Sequence, residues 1–99
     1  MAEPLADVRE GSLTPPQLAA YLADLAERAT IQRVTLKAER HAHADPQPVA
    51  LAEVAQALAS GAAVGAQIRY AFDGRHWCDT LLRRATSVQL VRLDVTAPP

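Results

Sequence analysis

The sequence has little of what disulfide bonds, membrane spans or secretion require. Cys78 is the only cysteine among 99 residues, so no internal disulfide can form, and a reducing cytoplasm is the expected compartment. No apolar run is long enough to span a bilayer, and the N-terminal residues lack the basic and apolar regions of a secretory signal. The sequence therefore predicts a cytoplasmic protein without a membrane partner.

Aromatic residues and lysine are also scarce. Only 4% of the residues are aromatic, and Lys37 is the single lysine among ten basic residues. Hydrophobic residues make up 49% of the chain, much of it alanine, which is enough for one domain with a shallow core. The alanine and arginine bias indicates a GC-rich bacterial coding sequence. The formal net charge of -1 shows none of the overall basic excess that is typical of nucleic-acid-binding proteins.

Two segments have the periodicity of an α-helix. Thr14 and Gln17 have the spacing of a capping box, and apolar residues then recur every three or four positions over 15–29. A second helix is predicted over 48–60, with Gly61 placed for its C-terminal cap.

Four segments alternate between apolar and polar residues, as strands with one buried face do. The Asp-Gly pair at 73–74 predicts a two-residue type I′ turn between the second and third of them. That turn places Tyr70 opposite Trp77 and Ile68 opposite Asp79 on the buried face. The four predicted strands are 30–44, 64–72, 75–82 and 88–95.

The element order α-β-α-β-β-β predicts an α+β fold. Two helices should pack on one face of a four-stranded, mostly antiparallel sheet. Residues 1–12 are expected to form a flexible N-terminal arm, 13–96 the single domain and 97–99 a C-terminal tail.

The three histidines and the cysteine form two alternating pairs, His41 with His43 and His76 with Cys78. Residues two apart on a strand share a face, so each pair could chelate one ion, and four such ligands would suit zinc or another transition metal. Asp45 would then be a further ligand or a hydrogen-bond acceptor for one of the ligands. We favour the alternative of ordinary surface histidines without a cofactor, because the prolines of "DPQP" should end the strand and keep the two pairs apart.

The usual sequence patterns of catalytic sites are missing. There is no glycine-rich phosphate loop and no Ser-His-Asp order. Cys78 has His76 nearby, but Asp79 should point to the opposite face of its strand, so the three residues do not form a relay. The sequence therefore favours a protein that is not an enzyme, and a site assembled from distant residues is the remaining alternative.

We predict a small non-catalytic bacterial binding module. It would be an accessory or regulatory protein that docks onto a protein partner, or onto a second copy of itself, through the face or edge of its sheet. The residues expected on the surface near that contact are Arg69, His76, Cys78 and Arg92. Metal handling by the two His and Cys pairs is the alternative. Nucleic-acid binding by the C-terminal arginines is a third hypothesis and is disfavoured, because the solvent face of the predicted sheet has no aromatic residue for base stacking.

Overall fold

The predicted periodicities become helices and strands in residues 10–37 and 49–96, which are the residues that the computed structural model describes. The α+β class is as predicted. In chain order the elements are β1 (Glu10–Leu13), α1 (Pro15–Arg28), β2 (Thr30–Lys37), a 3₁₀ turn (Leu51–Glu53), α2 (Val54–Ser60), β3 (Gly65–Phe72), β4 (Arg75–Arg83) and β5 (Val88–Asp94).

Helix α1 begins with the capping box that the sequence predicts. The Gln17 backbone N–H donates to Thr14 Oγ1 at 3.3 Å, and the Thr14 N–H donates to Gln17 Oε1 at 2.8 Å. These bonds satisfy backbone donors that a helix N-terminus otherwise leaves unpaired. Leu18, Leu22 and Leu25 recur at helical spacing and are buried, so one stripe of the helix packs onto the sheet.

The second helix is shorter than predicted. Of the range 48–60, the 3₁₀ turn takes Leu51–Glu53, the α-helix begins only at Val54, and residue 48 lies outside the described residues. Ala50, at the start of the turn, offers no side-chain cap. The C-terminal end is as predicted, because Gly61 adopts a left-handed φ of 85°.

The sheet is antiparallel throughout, with the strand order β1-β5-β4-β3-β2. Asp73 and Gly74 both have positive φ, 56° and 77°, as a type I′ turn requires. The resulting register pairs Tyr70 with Trp77 and Ile68 with Asp79, which confirms the predicted hairpin.

The predicted number of strands is wrong by one. Residues 10–12, which we assigned to the flexible arm, form strand β1 with Leu13 and pair with β5. A four-residue strand that contains Gly11 and Ser12 has weak intrinsic β propensity. Its stability comes from the β5 edge, which lies almost 80 residues away in the sequence. No local pattern indicates such a pairing.

Strand β2 is the other edge of the sheet. It is described as far as Lys37, with a bulge between Ile31 and Arg33, and the rest of the predicted strand 30–44 lies outside the described residues. The outward-facing carbonyl of Val34 accepts a hydrogen bond from the Val49 N–H at 2.9 Å. The chain that returns towards α2 therefore occupies part of this edge.

The core lies between the helices and one face of the sheet, as predicted. Inward-facing side chains of β3, β4 and β5 form a single buried cluster with the leucines of α1 and with Val54 and Leu58 of α2. No described helix covers the other face of the sheet. None of the described helices is long and apolar enough to cross a membrane.

The cap of α1 can be tested with an exposed residue. We expect Thr14→Ala to lower the free energy of unfolding by about 1 kcal/mol, because the Gln17 backbone N–H loses its acceptor, Thr14 Oγ1. Thr14→Ser retains the hydroxyl and should be close to the parent in urea denaturation. Equal losses in both variants would contradict a role for the hydroxyl.

Candidate functional site

The most polar cluster in the protein is buried beneath α1. Asp79 is 0% exposed and Arg92 is 2% exposed. Arg92 Nε donates to Asp79 Oδ1 at 2.9 Å, and Arg92 Nη2 donates to Asp79 Oδ2 at 2.8 Å. The two residues are direct cross-strand partners on β4 and β5. A buried ion pair with this bidentate geometry is the arrangement in which attraction best offsets desolvation.

Two tyrosines complete the shell around the Asp79 carboxylate. Tyr21 Oη, from α1, donates to Asp79 Oδ2 at 2.7 Å, and Tyr70 Oη, from β3, lies 3.0 Å from both carboxylate oxygens. The Arg92 guanidinium carbon lies 6.0 Å from the centre of the Tyr70 ring. Tyr21, Tyr70, Asp79 and Arg92 are called the buried tetrad below. It joins one helix to three adjacent strands.

The surroundings of the tetrad raise the pKa values of both tyrosines and of Arg92. Burial, reinforced by the negative charge of Asp79, raises the pKa of Tyr21 and of Tyr70 well above the usual tyrosine value. Burial acts to lower the pKa of Arg92, but the hydrogen bonds and charge of Asp79 outweigh it, so that pKa is raised. Both phenols are therefore neutral and the guanidinium is charged at neutral pH. The tetrad therefore links α1 to the three central strands through charge-assisted hydrogen bonds.

Two residues that were expected on the surface are buried, Cys78 at 4% and Arg92 at 2% exposed. The surface position predicted for Arg92 is wrong, because its guanidinium is buried on Asp79 under α1, and its contact with a partner stays a prediction. The signal was present in the sequence. Asp79 alternates with Trp77 on the buried face, and a buried carboxylate requires a partner. Arg92 follows Leu90 at the same inward spacing on the last strand, and so it was the available cation.

Arg69, His76 and Cys78 lie on the face of the sheet that no described helix covers. The registers place Arg33 beside Arg69, Arg69 beside Cys78, and Cys78 beside Leu93. These four residues, called the open-face row below, cross four strands in a straight line. Both arginines are exposed, and Leu93 is 55% exposed, the most exposed large apolar residue described.

Cys78 lies in the open-face row but is only 4% exposed. Burial raises the pKa of its thiol, the charge of Arg69 acts to lower it, and Asp79 acts to raise it again. A protonated and shielded thiol is a poor nucleophile and a poor metal ligand. Asp79 points to the opposite face, as the sequence predicts, so no relay with Cys78 forms.

His76 has partners that are not metal ligands. Its Nδ1 lies 3.3 Å from Gln32 Nε2, and its backbone N–H donates to Thr96 Oγ1 at 2.8 Å. Strand β2 starts near His76 and runs away from it to Lys37, at the far end of the sheet. The distance along six strand residues is about 20 Å.

The structure describes only two of the four proposed metal ligands, His76 and Cys78. His41 and His43 lie outside the described residues, so the four-ligand site of His41, His43, His76 and Cys78 stays a prediction. A shared site would require the chain after Lys37 to turn back along the sheet. Within residues 10–37 and 49–96, no three His, Cys, Asp or Glu side chains form a group that could hold a metal ion.

The open face combines positive charge with apolar surface. Arg33 and Arg69 are direct cross-strand neighbours, an arrangement of like charges that is unfavourable unless an anion compensates it. Neither side chain has a hydrogen bond or ion pair with another described residue. By strand alternation Lys37 lies on the same face, where the only described acidic residue is Glu10, on the opposite edge strand. This face therefore suits an anionic partner with apolar groups.

The buried ion pair gives a direct stability test. Asp79→Asn should lower the free energy of unfolding by about 3–5 kcal/mol, because it leaves the Arg92 charge buried without a counter-ion. The matched change Asp94→Asn breaks the exposed Arg75–Asp94 pair and should have little effect. Urea denaturation of both variants measures the difference. Similar effects of the two substitutions would contradict the buried pair.

The tyrosines predict a specific loss of stability at high pH. Their folded-state pKa values lie above the unfolded value of about 10, so the unfolded state loses its protons first as the pH rises. Above about pH 10 the free energy of unfolding should fall by up to about 1.4 kcal/mol per pH unit for each tyrosine, whereas below that pH their contribution is constant.

Urea denaturation across the alkaline range checks this slope. Cys78→Ala serves as the parent, because the pKa of its thiol is raised as well. The additional changes Tyr21→Phe and Tyr70→Phe should flatten the slope. Tyrosinate absorbance that develops near pH 10 while the protein is still folded would contradict the predicted protection.

Comparison with known proteins adds no functional assignment. The chain matches no protein-family model, no curated protein and no solved structure. The inference of function therefore starts from the two faces of the sheet, one sealed by the buried tetrad and one carrying the open-face row.

Proposed function

We propose that this protein is a small non-catalytic docking module, an accessory or regulatory factor that binds an acidic segment of a protein partner on its open sheet face. The open-face row carries this proposal, because it sets two arginines that have no partner within residues 10–37 and 49–96 in line with an exposed leucine. Carboxylates of the partner would pair with Arg33 and Arg69, and an apolar side chain would cover Leu93.

The face is better suited to docking than the edges. Strand β1 is only four residues long, so it offers few backbone groups to an added strand. On the β2 edge, the Val34 carbonyl is already bonded to Val49. The open face is crossed by all five strands and has no described helix on it.

The chemistry of the face favours an acidic protein segment over nucleic acid. Base recognition on a sheet relies on exposed aromatic rings. Tyr70 and Trp77 are instead buried beneath the helices, and Phe72 packs against the same core. A second copy of the chain is also less favourable than an acidic partner, because Arg33 and Arg69 of two copies would repel each other across a symmetric contact.

The titratable groups of the core support the non-catalytic part of the proposal. The raised pKa values of Tyr21, Tyr70 and Cys78 keep both phenols and the thiol protonated at neutral pH. None of these groups supplies a base or nucleophile at neutral pH.

Binding can be measured with peptides of defined charge. We expect an acidic peptide that alternates Glu and Leu to bind at low salt and to weaken as salt screens the charges. Its basic Lys and Leu counterpart should not bind. Heteronuclear NMR should place the largest shift changes at Arg33, Arg69 and Leu93.

Two charge-matched variants sharpen this test. Arg33→Glu with Arg69→Glu should weaken the acidic peptide at least about tenfold. Arg28→Glu with Arg83→Glu makes the same change in net charge on the helix side of the sheet and should bind like the parent. Equal weakening by both double variants, or tighter binding of a single-stranded oligonucleotide than of the acidic peptide, would overturn the proposal.

A further inference from the structure

A cleft lies on the helix side of the sheet, separate from the open-face row. It has a volume of about 320 Å³ and is bounded by the start of α1, by α2 and by the connection between β4 and β5. Its floor is apolar, because Leu18, Leu58 and Val88 reach the bottom of the cleft from the core. Ala55 and Ala59 of α2 are too small to fill the space above them.

The cleft has a basic rim without a compensating acid. None of the residues that line it is Asp or Glu, and Arg83 and Arg84 stand at its mouth. Arg84 Nη2 is engaged by Gln89 Oε1. Arg83 is the next inward-facing position of β4 after Leu81, and its side chain has no hydrogen bond or ion pair with any other described residue. Arg83 is therefore an available cation beside an apolar pocket.

We infer that this cleft binds a small carboxylic acid with an apolar chain of up to about eight carbons. The carboxylate would pair with Arg83, and the chain would lie against Leu18 and Leu58. A volume of 320 Å³ holds about ten water-sized groups, which matches the ten non-hydrogen atoms of octanoate. It is at the lower end of the range for small-molecule pockets, which favours a short chain.

The polar groups of the rim favour a carboxylate over other head groups. Thr86 and Ser87 line the same side as Arg83 and add hydroxyl groups that can donate to an anion. Arg84 keeps its positive charge although its Nη2 donates to the neutral Gln89 amide, so both guanidiniums attract an anion and Arg83 has no described partner that competes with the carboxylate. An ammonium head group would meet only positive charge at this rim.

NMR titration with sodium octanoate tests the site. The expected dissociation constant is on the order of 1 mM for a ligand of ten heavy atoms in a half-open cleft. Shift changes should centre on the methyl groups of Leu18, Leu58 and Val88. Arg83→Gln should weaken binding about tenfold, because the charge-assisted pairing is lost. Arg33→Gln, on the open face, should leave octanoate binding unchanged.

Two further measurements separate the cleft from non-specific binding. Ala59 lines the cleft and is exposed, so Ala59→Leu should fill the cleft with a larger side chain and abolish octanoate binding. Because the position is exposed, the melting temperature should stay close to that of the parent. Octanol and octylammonium should bind more weakly than octanoate. Equal binding of octylammonium, or unchanged binding in both Arg83→Gln and Ala59→Leu, would overturn the proposal. Binding of the acidic peptide to the open face is measured separately, so either proposal can fail alone.

Discussion

The Asp79 carboxylate determines how this small domain is put together. A buried negative charge is tolerated only when it is paired and fully hydrogen-bonded, and here Arg92, Tyr21 and Tyr70 meet that requirement together. Because the donors come from α1, β3 and β5, the carboxylate on β4 holds the helix on the sheet and aligns three central strands. A one-residue shift of β5 would point Arg92 to the other face and leave the charge unpaired.

This alignment makes the two faces of the sheet different. On the inward face, the polar groups of the tetrad bond to one another. On the outward face, alternation sets Arg33 and Arg69 beside the apolar side chains of Cys78 and Leu93. The aromatic residues of the sheet and the buried ion pair therefore lie under the helices. The opposite face presents charged and aliphatic side chains for contact.

The sequence predicts the parts of this structure that depend on local chemistry. The capping box of Thr14 and the Asp73–Gly74 turn are short-range signals, and both appear as expected. Strand β1 was missed because its pairing is non-local and its residues are weak strand formers. Arg92 was misplaced because alternation shows which residues share a face but not which buried charge they meet. The sequence alone does not show that Arg33 and Arg69 are neighbours, because only the register between β2 and β3 sets them side by side.

The central claim is that one face of the sheet is sealed by the tetrad and the other is open for docking. Paramagnetic relaxation enhancement by a soluble, neutral gadolinium chelate measures the exposure of each methyl group directly. The account predicts strong enhancement for Leu93, weaker enhancement for Val91, and almost none for Leu90 of the same strand and Leu81 of β4, which face the core. Strong protection of the Leu93 methyl groups in the isolated protein would contradict the account.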